Sequence, residues 1–102
     1  MPQVVLNVLY NAPADPAAFE AYYASTHLPI AQAIPSLANV VLLKGVPGPD
    51  GSAPPYYRMA QLFFADAETM AAAMGSEQGQ AAVADLANFA SGGVRVLVAE
   101  VA

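Results

Sequence analysis

The segment Val4–Tyr10 is apolar on both faces that a β-strand would present. Val4, Leu6, Val8 and Tyr10 share one face, and Val5 and Leu9 flank Asn7 on the other. A strand of this kind needs cover on both sides. Tyr56–Phe64 repeats the pattern, with Ala60, Leu62 and Phe64 on one face and Tyr57, Met59 and Phe63 with Gln61 on the other. Val94–Val101 is almost continuous valine and leucine around Arg95. The chain supplies two helical regions to cover these strands. Asp15 followed by Pro16 predicts a helix N-cap with proline at the first helical position, and this helix runs through Phe19, Tyr22 and Tyr23. Pro29 disfavours helical geometry at Leu28, so a kink or restart is expected near His27–Pro29, then a short helical piece to Ile34. Leu37–Leu43 reads as a strand. Gly45–Pro55, with three glycines and four prolines, reads as a mobile loop. Asp66 caps the second helical region, Gly75-Ser76 interrupts it, and Ser76 can cap a further piece to about Phe89 before Ser91-Gly92-Gly93 ends it.

The order β-α-β-β-α-β, without repeat or linker, is the ferredoxin-like plan of the α+β class. It predicts one domain over residues 1–102, a four-stranded antiparallel sheet with both helices on one face. Helices on one face leave the second apolar face bare, so a homodimer packed sheet to sheet is expected. Composition agrees: 57% of the residues are hydrophobic and 11% charged, where ordinary soluble domains carry about 25% charge.

The same numbers exclude partners. Lys44, Arg58 and Arg95 are the only cations against eight carboxylates, net charge −5, which argues against nucleic acid and anionic membranes. Residues 21–43 lack Asp, Glu, Lys and Arg, but Pro29, Pro35, His27, Gln32 and Asn39 interrupt them, so a membrane span is not expected. Met1–Tyr10 has no basic n-region, so no signal peptide is expected. The absence of cysteine removes thiolate chemistry and suits the cytoplasm.

Candidate chemistry centres on the first helix. Phe19, Tyr23 and His27 are spaced i, i+4, i+8 and share its apolar face if the helix continues. His27, the only histidine, can exchange a proton near neutral pH, or can serve structurally by bonding a freed carbonyl. Tyr23 and Tyr10 can orient a ligand or fill the core. Arg58 can bind a carboxylate or enolate, or lie in water at the sheet end. Asn88 can orient a ligand or cap a helix end. Glu20, Glu68, Glu77 and Asp85 fit solvated helix faces. One histidine and no cysteine build no metal cluster, and prolines among Gly45–Gly51 remove the N–H groups a phosphate loop needs.

The run Phe19-Glu20-Ala21-Tyr22-Tyr23-Ala24-Ser25-Thr26-His27-Leu28-Pro29 resembles the EthD family, whose pattern is an aromatic, a tyrosine pair, then His-x-Pro. Val8-Leu9-Tyr10, Tyr56-Tyr57-Arg58-Met59-Ala60 through Glu68, and Leu86-Ala87-Asn88-Phe89-Ala90 fit as well. The resemblance implies a dimeric α+β barrel in which each subunit keeps a small-molecule cleft between sheet and helices, with His27 and Tyr23 as the family's histidine and tyrosine. Superfamily relatives include haem proteins, but haem ligation is disfavoured with His27 as the sole imidazole; by elimination from the residues, any catalysis is cofactor-free proton transfer or uses an apolar cofactor held by the core. The function expected on this basis is cofactor-free acid/base isomerisation, lactone rearrangement or cyclisation of an apolar or aromatic substrate. His27 and Tyr23 would be catalytic, and Tyr10, Arg58, Phe19 and Asn88 would bind substrate. The alternative is a non-catalytic ligand-binding or accessory protein in a degradation pathway.

Overall fold

A computed structural model describes residues 2–102. The elements are β1 (Val4–Tyr10), α1 (Pro16–Tyr22), a π-helical turn (Tyr23–His27), α2 (Leu28–Gln32), β2 (Asn39–Lys44), β3 (Arg58–Phe64), α3 (Ala67–Gly75), α4 (Glu77–Phe89) and β4 (Val94–Glu100). The strands form one antiparallel sheet in the order β2-β3-β1-β4, the expected ferredoxin-like arrangement. Strand and helix ends differ from the sequence expectation by about two residues, the usual latitude of fraying termini.

The helix starts are built by the residues that predicted them. Asp15 accepts from Ala18 N at 3.2 Å, Asp66 from Thr69 N at 2.7 Å and Ser76 from Gly79 N at 3.1 Å. Each satisfies a backbone donor that a helix start leaves unpaired.

Pro29 does not break the first helical region. Its ring nitrogen has no hydrogen to give, and the chain widens by one residue instead: the Leu28 N–H reaches back to Tyr23 O, five residues away. His27 and Leu28 stay in right-handed helical conformation. The expected kink is therefore a π-turn, and the helix continues past it.

The register sorts the sheet into two faces. Tyr10 lies opposite Arg58, Val8 opposite Ala60, Leu6 opposite Leu62 and Val4 opposite Phe64. On this face Val4, Leu6, Val8, Tyr10, Ala60, Leu62 and Phe64 are buried beneath the helices. On the opposite face Val5 is buried, while Leu9, Met59 and Phe63 are half-exposed. A polar row crosses that face: Gln61 donates to Asn7 Oδ1 at 3.1 Å, and Asn7 donates to Leu97 O at 3.3 Å. Strand β4 is exposed along its length.

Gly79, buried near the start of α4, sets how closely α3 and α4 approach. A Cβ there would lie 2.6 Å from Met74 Cα. Propensity alone favours Ala over Gly in a helix by about 1 kcal/mol. Gly79→Ala is expected to destabilise the fold instead, by about 1–3 kcal/mol, because the helices must part. A urea denaturation midpoint lower than that of the wild type checks this.

Candidate functional site

The π-turn decides where His27 points. Its ring stacks on Tyr23 (centroids 6.0 Å apart, planes at 18°), and Tyr23 stacks on Phe19 (5.4 Å, 21°). The i, i+4, i+8 line therefore survives as a column of rings facing the sheet. Tyr10, at the end of β1, meets it edge-on at Phe19 and Tyr23, and Phe89 of α4 closes the cluster 4.5 Å from the imidazole.

His27 is 5% exposed and both ring nitrogens are engaged. Nδ1 lies 2.9 Å from Asp85 Oδ2, and Nε2 lies 3.4 Å from the Tyr10 hydroxyl. Asp85 was expected on a solvated helix face. It is 6% exposed and forms the polar centre of the core. Its Oδ1 accepts from the Tyr22 hydroxyl at 2.6 Å and from Asn88 Nδ2 at 3.0 Å. Burial opposes the charge on Asp85, but the hydrogen bonds from Tyr22, Asn88 and His27 outweigh it and hold the carboxyl below its usual range. An ionised Asp85 only accepts, so His27 Nδ1 carries the hydrogen, and in the neutral imidazole Nε2 presents a lone pair. The Tyr10 hydroxyl donates to that lone pair across a distance longer than the usual ~2.7–3.2 Å, a weak bond that another donor can displace. Burial pushes the Tyr10 phenol well above its ordinary value, so it remains protonated.

His27, Tyr10 and Tyr23 stand in the wall of a cavity of about 320 Å³ between sheet and helices. The remaining wall is aliphatic or thioether, from residues such as Leu6, Leu62, Met70 and Leu86. Val83 of α4 and Val96 of β4, 54% and 50% exposed, also border it and place its mouth between those two elements. The Tyr23 hydroxyl is buried and has no hydrogen-bond partner among the described residues.

The other candidate residues lie apart from this cavity. Arg58 makes a two-point ion pair with Glu20, Nε to Oε2 at 3.1 Å and Nη2 to Oε1. The Arg58 hydrogen bond holds the Glu20 carboxyl below its usual value. Glu20 is thus paired across the domain instead of being solvated, and the guanidinium sits 5.6 Å from the Tyr23 ring centre. Phe19 and Asn88 border a second depression between the start of α1 and the end of α4, together with Tyr22. Asn88 serves Asp85 instead of capping a helix end.

Two residues of the polar cluster escaped the sequence reading. Tyr22 neighbours Tyr23 and offered no separate signal. Asp85 did offer one: it lies three residues after Ala82 and four before Phe89, on the stripe that α4 buries. Ligating a haem iron through His27 Nε2 would require Tyr10 to give up its contact. Among the described residues no three His, Asp or Glu side chains are grouped to hold a metal ion.

A family model described as the EthD domain matches residues 11–93. An uncharacterized 11.0 kDa protein from the thcB–thcC intergenic region of Rhodococcus erythropolis is 46% identical over 92 residues, covering 90% of this chain and 88% of that protein. The crystal structure of an EthD family protein from Bacillus halodurans superposes with a TM-score of 0.91 at 30% identity, over 98% of this chain and 99% of that one. An EthD-like protein from Ralstonia eutropha gives 0.77 at 26% identity, over 98% and 92%.

The Asp85 cluster carries a pH signature. A carboxyl depressed in the folded state contributes stability above its unfolded value, about 3.9, and loses it as pH falls through the folded value. Tyr22→Phe removes one donor and raises the folded value. The variant is expected to be less stable than wild type at pH 7, and the difference should shrink below pH ~4 as Asp85 protonates in both. Urea midpoints from pH 3 to 7 check this; a difference independent of pH would contradict it.

Proposed function

This chain belongs to the EthD family, and we propose that it is a small-molecule enzyme in which His27 moves a proton within the cavity between sheet and helices. The observation that supports this reading is the buried His27 in the cavity wall, paired behind the wall with Asp85 in a lining that is mostly apolar. Asp85 holds the imidazole in the tautomer with a free Nε2 and stabilises the imidazolium that forms when Nε2 takes a proton. Because the aspartate is itself fixed by Tyr22 and Asn88, the base is oriented before substrate arrives. The reactions such a site suits are isomerisation, lactone rearrangement and cyclisation, in which a proton leaves one atom and returns at another with no external reagent. The apolar wall suits an apolar or aromatic substrate.

A positioned acid/base contributes about 10²–10⁴-fold to rate. Phenols, lactones and quinones screened by thermal shift on wild type and His27→Ala would identify ligands whose binding depends on the site. NMR in D₂O would then follow each one. The expected outcome is rearrangement or deuterium uptake on wild type, slowed about 10²–10⁴-fold in His27→Ala. Equal rates on the two proteins would sink the assignment, and recovery of every ligand unaltered would favour an accessory binding role.

The proposal includes a homodimer joined through the open sheet face, where Val5, Leu9, Met59 and Phe63 lie beyond the reach of the helices. Light scattering at micromolar concentration is expected to give twice the chain mass, and Leu9→Glu, which puts a charge into that face, is expected to give the monomer. A stable wild-type monomer would overturn this part of the reading.

A further inference from the structure

The cavity has one polar end, and its hydrogen-bonding capacity is unbalanced. Among the described residues, Tyr10, Tyr23 and His27 are the only ones in the lining whose side chains carry oxygen or nitrogen. Tyr10 is engaged with His27, and His27 Nε2 accepts. The Tyr23 hydroxyl is 97% or more withdrawn from solvent with the rest of its residue, at 3% exposure, and has no partner among the described residues. A buried hydroxyl without a bond costs free energy, so a retained one implies that something else completes it. Burial raises the Tyr23 phenol above its usual value, so the group is protonated and able to donate.

Charge narrows the occupant further. Among the described residues no lysine or arginine borders the cavity. Arg58 is held in its two-point pair with Glu20. The closest full charge behind the polar end is the Asp85 carboxylate, which repels an anion. A carboxylate-bearing ligand would lose its hydration and find neither a partner nor a favourable field.

We propose that the cavity selects an uncharged carbonyl compound with a hydrocarbon body, whose carbonyl oxygen accepts a hydrogen bond from Tyr23 and whose adjacent C–H faces His27 Nε2. This rests on the proton-transfer reading for its reaction, though not for its binding. In the reaction the C–H bond breaks, its proton passes to Nε2, and its electron pair moves to the carbonyl oxygen to give an enolate held by Tyr23. Return of the proton from Nε2 to carbon closes the cycle, and no oxidant or reductant is needed.

Three probes with the same bicyclic body separate the terms: 2-tetralone, tetralin and tetralin-2-carboxylate, titrated calorimetrically at pH 7 against wild type and Tyr23→Phe. Wild type is expected to bind the ketone at least about tenfold more tightly than the carboxylate. Tyr23→Phe is expected to weaken ketone binding about threefold to tenfold while leaving tetralin unchanged, the range of one hydrogen bond. The ligand-free Tyr23→Phe protein should melt at the same temperature or higher, because it loses an uncompensated buried hydroxyl; a structural role for the hydroxyl would lower it. Carboxylate binding as tight as the ketone's, a ketone preference that survives Tyr23→Phe, no measurable ketone binding, or a lowered melting temperature would each overturn the proposal. Deuterium exchange at the ketone's α-carbons reads His27 separately. Tyr23-dependent ketone binding without exchange would remove the proton-transfer reading and leave the selectivity standing. His27-dependent exchange without a Tyr23 effect would do the reverse.

Discussion

A carboxylate can stay ionised inside an apolar domain only where donors replace the water it has lost, and Asp85 has donors from three side chains. Tyr22 and His27 come from the first helical region, and Asn88 comes from α4 itself. The cluster therefore ties the two helical layers together at the point where they lie over the sheet. It also places the only imidazole of the chain with one nitrogen committed and the other turned to Tyr10 at the end of β1. Removing Asp85 would leave several groups unpaired at once, because the aspartate is their common acceptor. The bonds that order this part of the core also orient the imidazole, so its orientation comes with folding.

The geometry that lets His27 reach Asp85 originates two residues later in the chain. Pro29 has no hydrogen for the helix ladder and would crowd the carbonyl four residues earlier. The helix answers by adding a residue to the turn Tyr23–His27, so that Leu28 bonds to Tyr23. The rings of Tyr23 and His27 then stack nearly parallel. Tyr22, one residue earlier, reaches the other oxygen of the same carboxylate. A proline that reads as a break thus acts as a spacer, bringing Tyr22 and His27 onto one acidic residue of a neighbouring helix.

What was legible in the sequence follows from the range of each signal. Caps and strand alternation are local, and Asp15, Asp66 and Ser76 act as their positions indicate; the element order then carries the topology. The histidine–tyrosine half of the site was also local, since Phe19, Tyr23 and His27 lie along one helix. The acidic half was not. Asp85 lies 58 residues from His27, and a charged residue in a helix defaults to the solvent side unless the helical phase is counted through it. Between Ala82 and Phe89 the phase points inward, and a carboxylate on a buried stripe implies a buried donor elsewhere. Arg58 and Glu20, 38 residues apart, gave no local sign of pairing. The pairing engages the Arg58 guanidinium with Glu20, and among the described residues no lysine or arginine borders the cavity.

The scarcity of charge has a matching consequence on the other side of the sheet. An apolar face can be covered by a second sheet only if its polar atoms are already satisfied, since none of the covering side chains would supply partners. On this face the Asn7 carbonyl accepts from Gln61 and its amide donates to the Leu97 carbonyl, while Arg95, opposite Leu9 on the exposed edge strand β4, is the one charge of the face. Both bonds run across neighbouring strands, parallel to the sheet. A second sheet could close over Val5, Leu9, Met59 and Phe63 without stranding these groups. The two apolar faces of β1 thus differ: the helix-facing one carries a cavity with a polar end, and the open one presents an apolar surface crossed by the hydrogen-bonded Asn7–Gln61 row.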